Sequence, residues 1–215
     1  MKAYTKPVLA IFLVLLADQI LKFWIKLNMT LGQEYNILGK WFIIHFTENN
    51  GMAFGMEFGG EAGKLALTLF RIAAVAVIGY GVVHLIKKKY HRGLILNVAL
   101  IFAGALGNII DSTVYGLIFT ESSYFEPAKL FPEQGYASLF HGKVVDMFYF
   151  PIIQGTFPAW FPLWGGEEFI FFRPVFNIAD AAISIGVISI LIFQKRYFKE
   201  ETIEESYPHS EIIEE

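Results

Sequence analysis

Four apolar runs dominate the pattern of hydrophobic and polar positions along the chain. Each is close to 20 residues long, the length that a helix needs to cross the hydrocarbon core of a bilayer. The runs lie near residues 8–25, 65–86, 94–115 and 175–193. The pattern predicts an all-α membrane protein, a bundle of four transmembrane helices with two long connections on one side of the membrane.

The two long connections differ in character. The first contains WFIIHFTENNGMAFGM (41–56), whose aromatic and β-branched residues and Asn-Asn-Gly turn at 49–51 predict a small β-hairpin or sheet. The second includes an aromatic-rich insertion, 117–140, without core patterning, and loops of this length are usually functional or disordered. We therefore predict a small extracytoplasmic β-rich subdomain and a long extracytoplasmic insertion that forms a lid or docking surface over a pocket.

Composition agrees with a membrane protein and limits its chemistry. Hydrophobic residues make up 55% of the 215 residues, and mean hydropathy is +0.49. There is no cysteine, which excludes disulfides and thiol nucleophiles. We predict one membrane-embedded domain over 1–199 and an acidic, disordered cytoplasmic tail over 200–215, where seven glutamates lie.

Basic residues near the helix ends predict the orientation. In an alternating four-span topology they fall on one side, which the positive-inside rule assigns to the cytoplasm together with both termini. These residues are Lys2, Lys6, the basic loop 87–92, Lys195, Arg196 and Lys199. The first run lacks a small-x-small cleavage site and contains Asp18 and Lys22, so we interpret it as a retained anchor.

Polar residues within the apolar runs identify candidate chemistry. An ionised carboxylate in a membrane helix costs about 3 kcal/mol or more on insertion scales, so Asp180 is a candidate functional residue. Asn177 lies three residues earlier, on the same helical face. Asp18 and Lys22 have the i, i+4 spacing of an ion pair, either a simple interfacial pair or part of a shared polar pocket.

The third run and both connections supply further polar candidates at the same depth. Gly104, Gly107, Asn108 and Asp111 form one helical stripe, in which the glycines allow close helix contact. Asp146 follows in an apolar segment that returns the chain to the bundle mouth. In the first connection, the amide of Asn49 can bind an extended peptide or a carboxylate, whereas Asn50 and Gly51 are also explained by a turn.

Two other functions fit intramembrane aspartates. A small ion- or proton-coupled transporter uses such residues as relays, although the chain shows no inverted repeat. A metal-assisted hydrolase is the second alternative, although the sequence lacks a His-Glu-x-x-His helix. Its candidate ligands are Asp111, Asp146, His141 and Asp180.

Five sequence blocks, in order, resemble the signal peptidase II family of four-span aspartyl peptidases. They are Asp18-Gln19-x-x-Lys22, Asn49-x-Gly51-x-Ala53-Phe54, Gly104-Ala105-x-Gly107-Asn108-x-x-Asp111, Val144-Val145-Asp146 and Phe176-Asn177-x-Ala179-Asp180. The chain departs from the family in Ser112, where arginine is usual, in Met52, where alanine is common, and in the longer spacer before Val144.

The resemblance implies an enzyme whose catalytic pair falls on Asp146 and Asp180. Its implied substrate-binding or site-shaping residues are Asp18, Lys22, Asn49, Gly51, Asn108, Asp111 and Asn177. The implied reaction removes signal peptides from diacylglyceryl-modified prolipoproteins by cleavage before the lipidated cysteine, in the bacterial inner membrane and at its outer side. The expected partners are the lipidated precursor and membrane lipids, with no nucleic acid, metal or cofactor.

Overall fold

The structure is a computed structural model that describes residues 2–51, 60–171 and 173–198. Its helices are α1 (Lys2–Asn28), α2 (Gly60–Lys87), α3 (Arg92–Ile110), the short α4 (Gly116–Ile118) and α5 (Ile178–Tyr197). One π-helical turn, Asp111–Tyr115, joins α3 to α4.

The prediction of four membrane spans is confirmed. Within the described ranges, four helices are long and apolar enough to cross a membrane: Ala3–Asn28, Gly60–Lys87, Arg92–Ile118 and Ile178–Tyr197. They present large apolar side chains outward, such as Phe12, Phe70 and Leu191, which are 57%, 72% and 60% exposed. An apolar outer surface of this extent is suited to lipid rather than water.

Helix α3 lies at the centre of the bundle and packs against α1, α2 and α5. Small residues bring the backbones of α3 and α5 together. A Cβ atom on Gly104 would collide with the carbonyl oxygen of Ala179, and one on Gly186 would lie 2.7 Å from the carbonyl oxygen of Asn97. The glycine stripe predicted from the sequence therefore marks a close helix contact.

A four-stranded antiparallel sheet lies at the end of the bundle where α5 begins. Its strands are β1 (Glu34–Leu38), β2 (Phe42–Asn49), β3 (Val144–Tyr149) and β6 (Val175–Phe176), in that spatial order. Strands β4 (Ile153–Thr156) and β5 (Glu168–Phe171) form a separate hairpin. The β-rich subdomain is confirmed.

The turn of the first hairpin lies elsewhere than predicted. It falls between Leu38 and Phe42, where Gly39 adopts a positive φ of 59°, and the Asn49-Asn50-Gly51 segment instead ends β2. Strand β2 continues to Asn49 because it pairs with β3 as far as Asn49, which lies opposite Val144.

The two faces of β3 have different roles. Val145 and Met147 are fully buried and pack in the core with Phe46 and with Ile25 of α1. Side chains alternate across a strand, so Asp146 points to the opposite face. The sheet thus separates the hydrophobic core from the face that carries Asp146.

The 117–140 insertion packs on the core face of this sheet. Phe119 and Ala128 belong to the same core as Val145, and the backbone N–H of Ala128 donates to the carbonyl of Lys26 at 2.9 Å. This part of the insertion therefore contributes apolar side chains to the core on the face opposite Asp146, which the sequence did not predict. The role of the insertion as a lid or docking surface stays a prediction.

A buried ion pair fastens the insertion to α1 and β2. Lys26 pairs with Glu48, and both side chains are almost completely buried. Ser122 of the insertion accepts from Lys26 Nζ and donates to Glu48 Oε1, each at 2.8 Å. The Lys26 ammonium also lies 5.1 Å from the ring centroid of Phe119. The charge of Lys26 on α1 is thus satisfied from two other elements, β2 and the insertion.

We predict that Lys26→Met destabilises the fold by about 3–5 kcal/mol, because it leaves Glu48 buried without a counter-ion. The double variant Lys26→Met with Glu48→Leu should recover most of the loss, since apolar replacement of a buried pair is often neutral. Chemical unfolding in detergent micelles measures both.

Lys129→Met is the matched control. Lys129 lies 3.7 Å from Glu126 on the surface of the same insertion, and both side chains are exposed. An exposed pair contributes about 0–1 kcal/mol. Equal losses for Lys26→Met and Lys129→Met would show that the buried pair has no special part in the fold.

Candidate active site

A buried lysine between two aspartates lies at the base of the site. Lys22 Nζ is 2.8 Å from Asp18 Oδ2 and 2.7 Å from Asp111 Oδ2, with all three side chains at most 1% exposed. The predicted Asp18–Lys22 pair is therefore present, but Asp111, in the π-helical turn after α3, extends it to three charges. Gln19 donates to Asp111 Oδ1 at 3.0 Å and supplies a further bond to the excess negative charge.

The two aspartates of this charge triad also hold other elements in place. Asp18 Oδ1 accepts from the backbone N–H of Ala179, in the first turn of α5, at 2.9 Å. Asp111 Oδ2 accepts from the backbone N–H of Val145 in β3 at 3.4 Å. A Cβ on Gly107 would lie 2.9 Å from Asp18 Oδ2, so the glycine leaves room for this carboxylate. The triad thus positions the two elements that carry Asp146 and Asp180.

Asn177 and Asp180 form the N-terminal cap of α5. The Asn177 side chain accepts from the backbone N–H of Asp180 at 2.8 Å, and the Asp180 carboxylate accepts from the backbone N–H of Asn177 at 3.4 Å. This reciprocal pair is a capping box. The apolar run had predicted a helix from Val175. The capping box explains why α5 begins at Ile178 instead.

Asp146 lies within reach of the same asparagine. Asn177 Nδ2 lies 2.8 Å from Asp146 Oδ1, and Asn49, at the end of β2, donates to Asp146 Oδ2. Asp146 is 4% exposed. Burial, and then the nearby charge of Asp180, raises the pKa of Asp146 to about 7. The two carboxylates interact electrostatically and are bonded by one asparagine.

Asn108 connects the triad to these carboxylates. Its Nδ2 donates to Asp180 Oδ1 at 2.7 Å, while its Oδ1 accepts from Lys22 Nζ at 2.9 Å and lies 3.1 Å from Asn177 Nδ2. An amide can bond a lysine and a carboxylate at once without adding charge. The network is therefore continuous from α1 to α5.

Arg71 of α2 is a site residue that the sequence analysis did not single out. Its guanidinium donates to the carbonyl of Gly51, and its charge interacts with that of Asp180. Gly51 has a positive φ of 87°, and its N–H donates to Asn49 Oδ1 at 2.6 Å. An isolated basic residue within an apolar run was the available signal.

The other predicted positions divide into those within the site and those outside it. Ser112, at the position where the resemblance expects arginine, donates to the carbonyl of Asn108 at 3.0 Å. Met52, Ala53 and Phe54, and the acidic tail 200–215, lie outside the described residues. His141 bonds Ser138 and the Leu139 carbonyl in the insertion's own turn. In the described part of the chain, no three His, Asp or Glu side chains are grouped to hold a metal ion.

Comparison with known proteins identifies the family. A family model described as signal peptidase (SPase) II matches residues 10–195. The lipoprotein signal peptidase of Porphyromonas gingivalis is 50% identical over 210 residues, which cover 92% of this chain and 91% of that protein. The chain belongs to the signal peptidase II family. The lipoprotein signal peptidase of Amoebophilus asiaticus is 37% identical over 187 residues, covering 86% of this chain and 75% of that protein.

Solved structures support the same fold. One, described as a bacterial membrane enzyme, has a TM-score of 0.58 at 24% identity and covers 91% of this chain and 92% of its own. A second, also described as a bacterial membrane enzyme, has a TM-score of 0.57 at 25% identity and covers 87% of this chain and 91% of its own. Signal peptidase II is a family of aspartic proteases, so the prediction of an aspartic peptidase is confirmed and the transporter alternative is not supported.

We predict that Asn49→Ala raises the pKa of Asp146 further, by about one pH unit. The Asn49 amide donates to the ionised carboxylate and so favours the charged form, and a hydrogen bond contributes about 1 kcal/mol. The Asp146 carboxyl should therefore lose its proton at a higher pH. Infrared difference spectra, with Asp146→Asn as the reference, report this ionisation directly.

Asn36→Ala is the control, because Asn36 lies on the exposed strand β1 of the same sheet. In the Asn36→Ala protein, the Asp146 carboxyl should titrate at the same pH as in the unaltered protein. An Asn49→Ala protein that titrates at the same pH as the control would show that Asn49 does not act on Asp146.

Proposed function

We propose that this signal peptidase II family member removes signal peptides from diacylglyceryl-modified prolipoproteins by cleaving before the lipidated cysteine, with Asp146 and Asp180 as its catalytic pair. It acts in the bacterial inner membrane, with both termini cytoplasmic and the site and sheet on the outer side. The relatives named lipoprotein signal peptidase support the substrate class.

One observation carries the assignment of the pair. Of the four aspartates at this end of the bundle, Asp18 and Asp111 are each within 2.8 Å of Lys22. Asp146 and Asp180 instead receive bonds from asparagines and face each other's charge. Carboxylates in direct contact with a buried lysine hold structure, whereas two that face each other with no cation bonded to either exchange one proton between them.

The mechanism follows from that shared proton. Two neighbouring carboxylates in a buried setting do not both ionise cheaply, so the pair holds one proton near neutral pH and titrates as a unit. The ionised member takes a proton from a water molecule that attacks the scissile carbonyl carbon. The protonated member donates a hydrogen bond to the carbonyl oxygen as negative charge develops there.

The asparagines keep the pair in the geometry that this step needs. Asn177 is fixed by capping α5, and Asn108 is fixed by Lys22, so each donates to a carboxylate from a constrained position. Fixed donors favour a reacting geometry without the entropic cost of ordering during the reaction. Their uncharged amides also leave the proton count of the pair unchanged.

The membrane contributes to substrate binding in this proposal. The pair lies at one end of four spanning helices, where Asp180 occupies the first turn of α5. A precursor held in the bilayer by its signal helix and acyl chains presents its scissile bond near that depth. Basic residues at the opposite helix ends support a cytoplasmic location for both termini.

We predict that Asp146→Asn and Asp180→Asn each lower kcat by about 10²–10⁴-fold, because an amide cannot exchange the proton. The double variant should be little worse than either single one, since residues that act as a unit are not additive. Cleavage of a lipidated precursor peptide, measured at matched concentrations of folded enzyme, tests both statements.

Asp111→Asn is the control for this experiment. It removes a partner of buried Lys22, so it should reduce stability and yield while leaving turnover in the protein that folds. Strong turnover by Asp146→Asn, together with a folded but inactive Asp111→Asn protein, would move the pair to Asp111 and Asp180.

We predict that a precursor lacking the diacylglyceryl group is cleaved with a kcat/KM at least 10-fold lower than the lipidated precursor. Burial of an acyl chain is worth about 0.8 kcal/mol per CH₂ and so concentrates the substrate at the site. Matched peptides in nanodiscs provide the comparison. Equal kcat/KM values would contradict the proposed substrate class while leaving the aspartic mechanism in place.

A further inference from the structure

We propose that Arg71 is a positioning residue that keeps the aspartate pair singly ionised and holds in place the Asn49–Gly51 segment beside it. This inference rests on the proposed function, because it assigns a role at the same pair. Arg71 comes from α2, which contributes none of the other polar residues described at the site, and it lies outside the sequence blocks that carry the family resemblance.

The first support is the position of the guanidinium. Arg71 donates to the carbonyl of Gly51, immediately after the segment that ends β2. A Cβ atom on Gly51 would collide with the same guanidinium, so residue 51 has to lack a side chain for arginine to reach this carbonyl. The positive φ of Gly51 also favours glycine at this position, because residues with a side chain rarely adopt it.

The second support is a short path of bonds from Arg71 to the pair. The Gly51 N–H donates to Asn49 Oδ1 at 2.6 Å, and Asn49 Nδ2 donates to Asp146. Arg71 holds Gly51 through its carbonyl, and the N–H of the same residue holds Asn49 Oδ1. Arg71 thereby supports the orientation in which the Asn49 amide donates to Asp146.

The third support is charge. The groups around the pair are the triad of Asp18, Lys22 and Asp111, which lies beyond Asn108, and Arg71 on the α2 side. Within the triad Lys22 favours the ionised form of Asp146, but its ammonium is itself bonded to Asp18 and Asp111. The Arg71 guanidinium interacts electrostatically with Asp180 while it donates to the carbonyl of Gly51.

Removal of this cation has a predictable effect on the pair as a whole. Every ionised form of the pair becomes less stable without a neighbouring positive charge, so the carboxylates retain protons to higher pH. The pH profile of kcat/KM should therefore move as a whole toward higher pH. A residue with only a packing role would change yield or kcat without moving the profile.

The test compares Arg71→Gln with Arg71→Lys on a lipidated precursor peptide. Arg71→Gln should lower kcat by about 10-fold or more at neutral pH and move the profile upward by about one pH unit. Arg71→Lys keeps the charge but not the forked geometry, so the profile should stay near that of the unaltered enzyme while kcat recovers in part. Thermal unfolding in detergent confirms that the variants compared are folded.

Arg92→Gln is the matched control, since Arg92 is exposed at the opposite end of the bundle, where α3 begins. Its pH profile should equal that of the unaltered enzyme. Arg71→Gln and Arg71→Lys profiles that both coincide with the control would overturn the inference. That result would leave the proposed function intact provided that the unaltered enzyme cleaves the precursor and Asp146→Asn does not.

Discussion

Buried carboxylates must be compensated, and this requirement organises the end of the bundle where α5 begins. Removing an ionised group from water costs several kcal/mol unless a partner or hydrogen bonds replace the lost solvent. Asp18 and Asp111 meet the requirement through Lys22, and each also binds a backbone N–H of α5 or β3. The compensation of two aspartates is therefore also what positions the two elements that carry the other pair.

Strand β3 separates two environments, the hydrophobic core on one face of the sheet and the candidate active site on the other. Alternate residues of β3 place Val145 and Met147 in the core and Asp146 on the other face. The same alternation applies to β2, where Glu48 binds Lys26 on the core side and its neighbour Asn49 donates to Asp146. The insertion, through Ser122, thus supports the strand that carries Asn49 from behind. A change in the core that displaces Glu48 would therefore also displace Asn49, because the two residues are adjacent in β2.

Local sequence signals predicted the parts of the structure that depend on local spacing. The apolar runs located the four spans, and the i, i+4 spacing predicted the Asp18–Lys22 pair. The hairpin turn was placed wrongly because β2 extends to Asn49 by pairing with the distant strand β3, and the core packing of the insertion was not predicted because it also depends on a distant segment. The insertion packs where it does because Phe119 and Ser122 meet Lys26, almost 100 residues away. No period or turn motif contains that information.

The two members of the aspartate pair differ in their surroundings. Asp180 lies in the first turn of α5, where backbone N–H groups and the helix dipole stabilise negative charge, and Arg71 adds a full positive charge nearby. Asp146 lies on a strand, is nearly completely buried, and has amide donors rather than a cation as its bonded partners. In the proposed mechanism the shared proton therefore rests on Asp146, whose pKa is raised to about 7 by burial and then by the charge of Asp180. In the proposed mechanism Asp180 then accepts the proton of the attacking water, and Asp146 donates to the carbonyl oxygen.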